Sequence, residues 1–275
     1  MSRPQTKMKL PIVDSRNKKA GELALPIQFS EDYRPDLIKR AVQTLQKNAR
    51  QQYGANPGAG MRHSSRLSKR RRNYRGCYGF GISRVNRKIL SRRGTRFFWV
   101  GAFSPQTVGG RRSHPPKAEK ILERKMNKKE NQKAIRSAIS ATVQKALVEK
   151  RGHKVPASYP FLVAGAAEEI SKTKDVEMLL QELGFAAELE RSMVKKVRAG
   201  LGTMRGRRYR RKKGIIIITS AECALSKAAK NVPGVDVVAV NQLNAELLAP
   251  GADAGRAALW TEKAVKEIGE RKLFM

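Results

Sequence analysis

Gly214–Val240 reads GIIIITSAECALSKAAKNVPGVDVVAV. Ile215–Thr219 is an unbroken run rich in β-branched residues, bounded by Gly214 and Ser220. Such a run does not alternate between apolar and polar, so it predicts a strand buried on both faces. Ser220 is placed to cap a helix running through Lys230. Val235–Val240 then supplies a second apolar strand. Strands alternating with helices in this way predict an α/β layered domain with a mostly parallel sheet.

The same alternation continues outward. Downstream, a short helix is expected near Asn244–Leu248 and a last one from Thr261 to Gly269. Upstream, a helix is expected from Ala186 to Arg198, stopped by Gly200. Another is capped by Thr173, carries Val176, Leu179, Leu180 and Leu183, and stops at Gly184. Phe161–Ala164 predicts a short strand. Asn127 with Glu130 has the spacing of a capping box, ahead of a stripe formed by Ile135, Ala138, Ile139, Thr142, Val143, Ala146 and Leu147. Near the start, Lys7–Val13 predicts a strand that Pro11 confines to an edge or an end. Pro35 suits the first position of a helix reaching about Arg50. The fold class expected is α/β, a layered domain with a mostly parallel sheet flanked by helices. It is formed by residues 1–50 and 117–275, with a long irregular basic loop at 51–116 inserted in it.

That loop has no helical period, and breakers punctuate it from Asn56-Pro57-Gly58 to Pro115-Pro116. Loops beyond about 15 residues are uncommon in compact domains and are usually functional or disordered. Doubled back, the segment could reach at most ~100 Å at ~3.3 Å per residue. A core of about 200 residues has a radius of gyration near ~16 Å. The arm therefore has the length to leave its own body, and too little clustered apolar surface to order itself alone.

Charge marks the same region. The 275 residues carry 58 Lys and Arg against 23 Asp and Glu, a formal net charge of +35. From Leu37 to Ala118 there is no acid at all, while 20 Lys and Arg fall in that stretch. A second acid-free cluster comprises Arg205, Arg207, Arg208, Arg210, Arg211, Lys212 and Lys213. With these two clusters set aside, the rest of the chain has a net charge of only +8. Solvated charged faces normally mix signs, because neighbouring acids relieve repulsion. Two acid-free clusters read instead as surfaces for phosphates.

Other classes fit less well. The longest aliphatic run, Ile215–Ile218, is far short of the roughly 18 apolar residues of a membrane span, and Met1–Lys9 has no apolar segment of a secretory signal. A peripheral membrane protein would need an amphipathic helix that the arm lacks. Two cysteines, Cys77 and Cys223, imply no disulfide framework and favour a reducing cytosol. No phosphate-loop, nucleophile-elbow or zinc-protease motif is present. Gly79-Phe80-Gly81 lacks the third glycine of a dinucleotide fingerprint. A Cys77 nucleophile served by His63 or His114 is conceivable, but a small side chain between aromatics in a binding loop is the simpler reading. Cys223 reads as a core thiol. No cofactor is implied.

The arm instead offers the chemistry of RNA binding. Arg62, Arg66, Lys69, Arg70, Arg71, Arg72 and Arg75 form a dense tract, extended by Arg50, Arg84, Arg87, Arg92, Arg93, Arg96, Arg111 and Arg112. A guanidinium can fork onto a phosphate and also stack on a base. Tyr74, Tyr78, Phe80, Phe97, Phe98, Trp99 and Phe103 are interleaved among them, and unpaired bases stack on such rings. Phe97–Phe103 is also good packing material for a buried strand, and the Arg tract could be a plain solvated basic run, but its lack of acids, its length and the cluster at Arg205–Lys213 make RNA contact the better reading. An RNA-modifying enzyme or a general nucleic-acid binder with an unrecognised site is the alternative.

Gly54-Ala55-Asn56-Pro57-Gly58-Ala59-Gly60-Met61-Arg62-His63 and Gly109-Gly110-Arg111-Arg112-Ser113-His114-Pro115-Pro116-Lys117 resemble the two limbs of the loop in the universal large-subunit ribosomal protein of the L-four family, in its archaeal or eukaryotic form. The order of elements agrees along nearly the whole chain. The resemblance implies a structural, non-enzymatic protein of the large ribosomal subunit in the cytoplasm. Its partners would be large-subunit ribosomal RNA, neighbouring ribosomal proteins and the nascent peptide. It also implies that the globular domain lies on the solvent side while the arm threads through RNA to the constriction of the peptide exit tunnel. Carried onto this sequence, Met61, Arg62, His63 and Arg66 would face the tunnel.

Overall fold

The apolar run at Ile215–Thr219 forms a strand, Ile216–Thr219, inside a six-stranded sheet. In chain order the elements are β1 Lys9–Val13, β2 Lys19–Ala24, α1 Pro35–Asn48, β3 Arg87–Arg93, β4 Arg96–Gly101, α2 Lys128–Val143, α3 Lys145–Lys150 and β5 Leu162–Val163. Then come α4 Thr173–Glu182, α5 Ala186–Met193, β6 Lys196–Val197, β7 Tyr209–Arg210, β8 Ile216–Thr219, α6 Ala224–Ala228, β9 Asp236–Ala239, α7 Ala245–Leu248, β10 Ala258–Thr261 and α8 Glu262–Glu270. This computed structural model describes residues 8–63, 65, 67, 70–74 and 77–275. The chain divides into two compact units, one of Met1–Asn48 with Glu123–Met275 and one of Ala49–Leu122.

In the first unit the sheet order is β2-β1-β5-β10-β8-β9. Only the β1–β2 pair is antiparallel; β1–β5, β5–β10, β10–β8 and β8–β9 are parallel. The unbroken apolar character of β8 follows from burial on both sides. Ile216 and Ile218 join a core with Trp260 of β10, Ile38 of α1, Ile139 of α2 and Ile268 of α8. Ile215 and Ile217 join a second core with Leu180 of α4, Leu189 of α5 and Leu225 of α6. Successive side chains of a strand point to opposite faces, so each face has its own layer of helices. The α/β class with a mostly parallel sheet is the one the sequence predicts.

Several local expectations are corrected. Ser220 does not cap a helix, because its backbone N and Oγ are taken by the Glu168 carboxylate at 3.0 and 2.8 Å; Cys223 holds the cap position of α6, half-buried against the second core. The capping box at Asn127 does not form, and Glu130 lies 3.5 Å from Arg40 instead. Thr173 is the first residue of α4, with Lys172 in the cap position. The helix expected to pass Ala146 and Leu147 breaks at Gln144, so Val148 becomes the buried residue of α3. The Ala186–Arg198 helix ends at Met193. Beyond it residues 194–197 are exposed, and without a buried face the chain turns into β6, antiparallel to β7. Within the six-stranded sheet two strands add to those expected: β2, whose KAGELA is polar, and β10, whose Thr261 caps α8 by accepting from the backbone N of Ala264 at 3.3 Å.

Candidate nucleic-acid interface

In the second unit the two limbs meet at a narrow root. The backbone N of Ala55 donates to the carbonyl of Pro116 at 2.8 Å. The approach requires Gly54, since a Cβ there would lie 2.2 Å from the backbone N of Ala118. Asn56 then turns the chain: its Oδ1 accepts from the backbone N of Gly58 at 3.1 Å and from Arg62 Nη2 at 3.3 Å. Asparagine favours such side-chain-to-backbone turns. Gly60 has φ of +70°, and a Cβ on it would strike the Phe103 ring at 2.6 Å. Met61, Arg62 and His63 are exposed.

The arm is not irregular throughout. β3 and β4 form an antiparallel hairpin with Arg93 opposite Arg96, closed at Gly94, which has φ of +56°. Phe97 and Trp99 share one face with their ring centroids 6.1 Å apart. Tyr74 packs edge-on to Phe97 at 5.6 Å and Phe80 edge-on to Trp99 at 6.3 Å. Phe98 and Val100 point the other way and stay about half exposed. The packed-strand reading of Phe97–Phe103 therefore holds for one face, while the opposite face keeps an open ring.

Around this hairpin the cations are mostly at the surface. Arg50, Arg70, Arg72, Arg84, Arg93, Arg96 and Arg112 are exposed, and Arg87 and Arg111 half-buried. Arg92 Nη1 reaches the Tyr74 hydroxyl at 3.3 Å. The Arg71 and Arg84 guanidinium carbons lie 5.6 and 5.1 Å from the Tyr78 ring centroid. Arg66, Lys69 and Arg75 lie outside the described residues. Cys77 is buried, and burial pushes its thiol pKa up, with nearby Arg87 opposing the shift.

The second cationic cluster lies on the β6–β7 hairpin rather than on a plain loop. Arg198 Nε donates to the carbonyl of Arg207 at 3.1 Å, and Thr203 Oγ1 to that of Arg198 at 2.6 Å. Lys195 Nζ stands 3.6 Å from the Tyr209 ring centroid. Arg205, Arg207, Arg208, Arg210 and Arg211 are all exposed.

Beneath this hairpin lies a buried polar group that no sequence spacing announced. Glu188 is fully buried and accepts from Arg191 Nη2 at 2.5 Å, Arg191 Nε at 2.7 Å, His153 Nδ1 at 2.7 Å and the backbone N of Lys154 at 2.9 Å. Burial alone would raise the Glu188 pKa, but the hydrogen bonds from Arg191, His153 and Lys154 outweigh it and hold the carboxyl at about 2. Burial pushes His153 down, against the pull of Glu188, so the imidazole is neutral near pH 7. A carboxylate can only accept, so His153 Nδ1 carries the proton. The 3.2 Å approach of Arg191 Nη2 to that nitrogen is then a close approach rather than a second hydrogen bond.

A profile of the ribosomal protein L4/L1 family matches residues 23–271. The chain belongs to this family. It is 47% identical over 268 residues to the large ribosomal subunit protein uL4 of Nanoarchaeum equitans, covering 97% of this chain and 100% of that one. It is 43% identical over 264 residues to the protein of the same name from Archaeoglobus fulgidus, covering 96% and 99%. The corresponding protein of Methanoculleus marisnigri is 46% identical over 252 residues, covering 91% and 94%. The family match runs through both limbs of the arm as well as β5, β8, β9 and β10 of the sheet.

Proposed function

We propose that this chain is a structural protein of the large ribosomal subunit, binding ribosomal RNA through its arm and through the β6–β7 hairpin. The near-complete coverage of relatives named as large-subunit proteins carries this reading. The acid-free arm supports it physically. Each arm cation that meets a phosphate releases condensed counterions, so affinity falls steeply with salt. The arm's rigid points, the root at Gly54 and the β3–β4 hairpin, present guanidinium groups and one open aromatic face to folded RNA. In this reading Met61, Arg62, His63 and Arg66 stand at the arm tip beside the nascent peptide in the exit tunnel. The remaining globular surface meets neighbouring ribosomal proteins, and the protein works in the cytoplasm within the ribosome.

The role is non-enzymatic. A raised thiol pKa works against a Cys77 nucleophile, because the thiolate is the reactive form. In a sheet of this kind ligands bind beyond the carboxyl ends of the strands. There Glu168 is already taken by Thr261 Oγ1 at 2.6 Å and by Ser220. Among the described residues no three His, Cys, Asp or Glu come together to hold a metal, and no helix is long and apolar enough to cross a membrane.

The test is RNA crosslinking and sequencing in cells, with the full chain and with a variant lacking residues 55–112. One large structural RNA should be enriched, and the variant should lose a defined subset of its crosslinks. Enrichment of scattered messages would overturn the assignment.

A further inference from the structure

The β6–β7 hairpin does more than expose cations, because it forms one wall of a cleft of about 620 Å³ in the globular unit. That volume falls within the ~300–1,000 Å³ of small-ligand sites. Its base is built from half-buried guanidinium groups. Arg191 is fixed by Glu188 and donates from Nη2 to the carbonyl of Lys213 at 2.8 Å, which pins the strand leaving the hairpin. Arg151 donates from Nη2 to the carbonyl of Pro250, but its Nη1 is buried and has no hydrogen-bond partner among the described residues. A guanidinium N–H withdrawn from water and left unpaired is an unfavourable arrangement that a bound anion relieves.

The mouth is cationic in the same sense. Lys213 is held by Asp236 at 3.0 Å. Arg210, Arg211 and Lys212 line the cleft, are exposed, and have no carboxylate within ion-pair distance among the described residues. Among the described residues Asp253 is the one acid in the lining. Guanidinium forks match the oxygens of a phosphate, and the cleft has room for more than the phosphate alone.

We propose that this cleft is a preformed phosphate site that takes a phosphate carried on a nucleotide. Arg151 Nη1 donates to it at the base, and Arg210, Arg211 and Lys212 face its charge from the mouth. The phosphate has two possible sources, a free nucleotide or the backbone of RNA; with RNA as the source, the inference rests on the ribosomal reading and deepens it.

Calorimetry on the purified full chain separates the cases. The probes are inorganic phosphate, 5′-AMP, adenosine and a short RNA without a terminal phosphate. Phosphate and AMP should compete for one site, and adenosine should not bind. Arg151→Gln and the double variant Arg210→Gln/Arg211→Gln should each weaken AMP binding by about tenfold, the scale of removing one charge-assisted hydrogen bond. Lys172→Gln/Lys174→Gln removes the same charge from exposed positions outside the cleft and should leave that affinity unchanged. Arg210 and Arg211 are exposed, so their double variant folds even if Arg151→Gln does not. AMP that binds at the cleft and is not displaced by the RNA assigns the free nucleotide as source. RNA that displaces AMP from the cleft and loses affinity in Arg210→Gln/Arg211→Gln assigns the backbone, with the salt slope falling by about 0.7 for each phosphate no longer neutralised. Absence of phosphate and AMP binding in the parent, or parental affinity for phosphate, AMP and RNA in the double variant, overturns the proposal. Crosslinking to one large structural RNA would persist in that event, so the ribosomal reading would survive it.

Discussion

Glu188→Gln tests the buried group beneath the hairpin. The substitution keeps the shape but replaces one acceptor oxygen by an amide that can only donate, against a site supplying four donors from Arg191, His153 and Lys154. The carboxyl is held at about 2, against an ordinary 4.5. At about 1.4 kcal/mol per unit, this corresponds to about 3 kcal/mol of stability at neutral pH. Removing one partner of a buried pair costs a similar ~3–5 kcal/mol. A depressed carboxylate pKa stabilises the fold above its unfolded value and stops doing so as pH falls from about 4.5 toward 2. His153 acts in the same direction, because a lowered histidine pKa makes the fold lose stability once the solution drops below the ordinary 6.5. Urea unfolding of parent and variant, followed by far-UV circular dichroism across pH 7 to 2.5, measures both effects. The stability gap should be largest at neutral pH and close in acid, with the closing confined to the carboxylate window. A variant within about 1 kcal/mol of the parent at pH 7, or a gap that does not change with pH, would show that the ionised Glu188 does not hold this part of the fold.

Three further outcomes follow from the packing. Ile216→Ala and Ile217→Ala face opposite cores, so each should cost ~2–5 kcal/mol in urea unfolding; if either costs nothing, the sheet is not covered on both faces. Gly54→Ala should force the limbs apart at the arm root, lowering protection of the Ala55 amide in hydrogen exchange and incorporation into large subunits. The urea midpoint of the globular unit should stay unchanged. Phe98→Ala should weaken RNA binding by ~1–3 kcal/mol, the scale of one base stacked on a ring, measured by fluorescence anisotropy. A Phe98→Ala variant that binds RNA like the parent would show that this face of the hairpin takes no base.

How much was legible depended on whether the signal was local. Ile215–Thr219 announced its own double burial, because a run without polar interruptions has no wet face. β10 carries a similar signal in Ala258, Leu259 and Trp260, all buried, but it is four residues long and runs directly into a helix that masks it. The β3–β4 hairpin was obscured for another reason: Arg and Lys hold four of the seven positions of β3, so no alternation is visible from one strand alone. The arm's charge was legible because missing acids can be counted along the chain. The cleft was not legible in this way. Arg151 follows α3, Arg191 lies on α5 and Arg210 on β7, and only the packing of those elements brings them together.

The division of charge explains why stability and RNA affinity are separable in this chain. Every ion pair among the described residues lies in the globular unit, from Lys19–Glu22 at its first hairpin to Arg271–Glu267 at its last helix. Between Ala49 and Leu122 the only acid is Glu119. The arm cations therefore have almost no intramolecular anion, and their mutual repulsion can be relieved only by salt or by phosphates brought from outside. Screening length shrinks as salt rises, so added salt favours a compact arm in the free chain and at the same time weakens its hold on RNA. The pairs of buried Glu188 and of half-buried Asp236 with buried Arg256 are screened much less, so the globular unit should keep its unfolding midpoint across the same range of salt over which RNA is released.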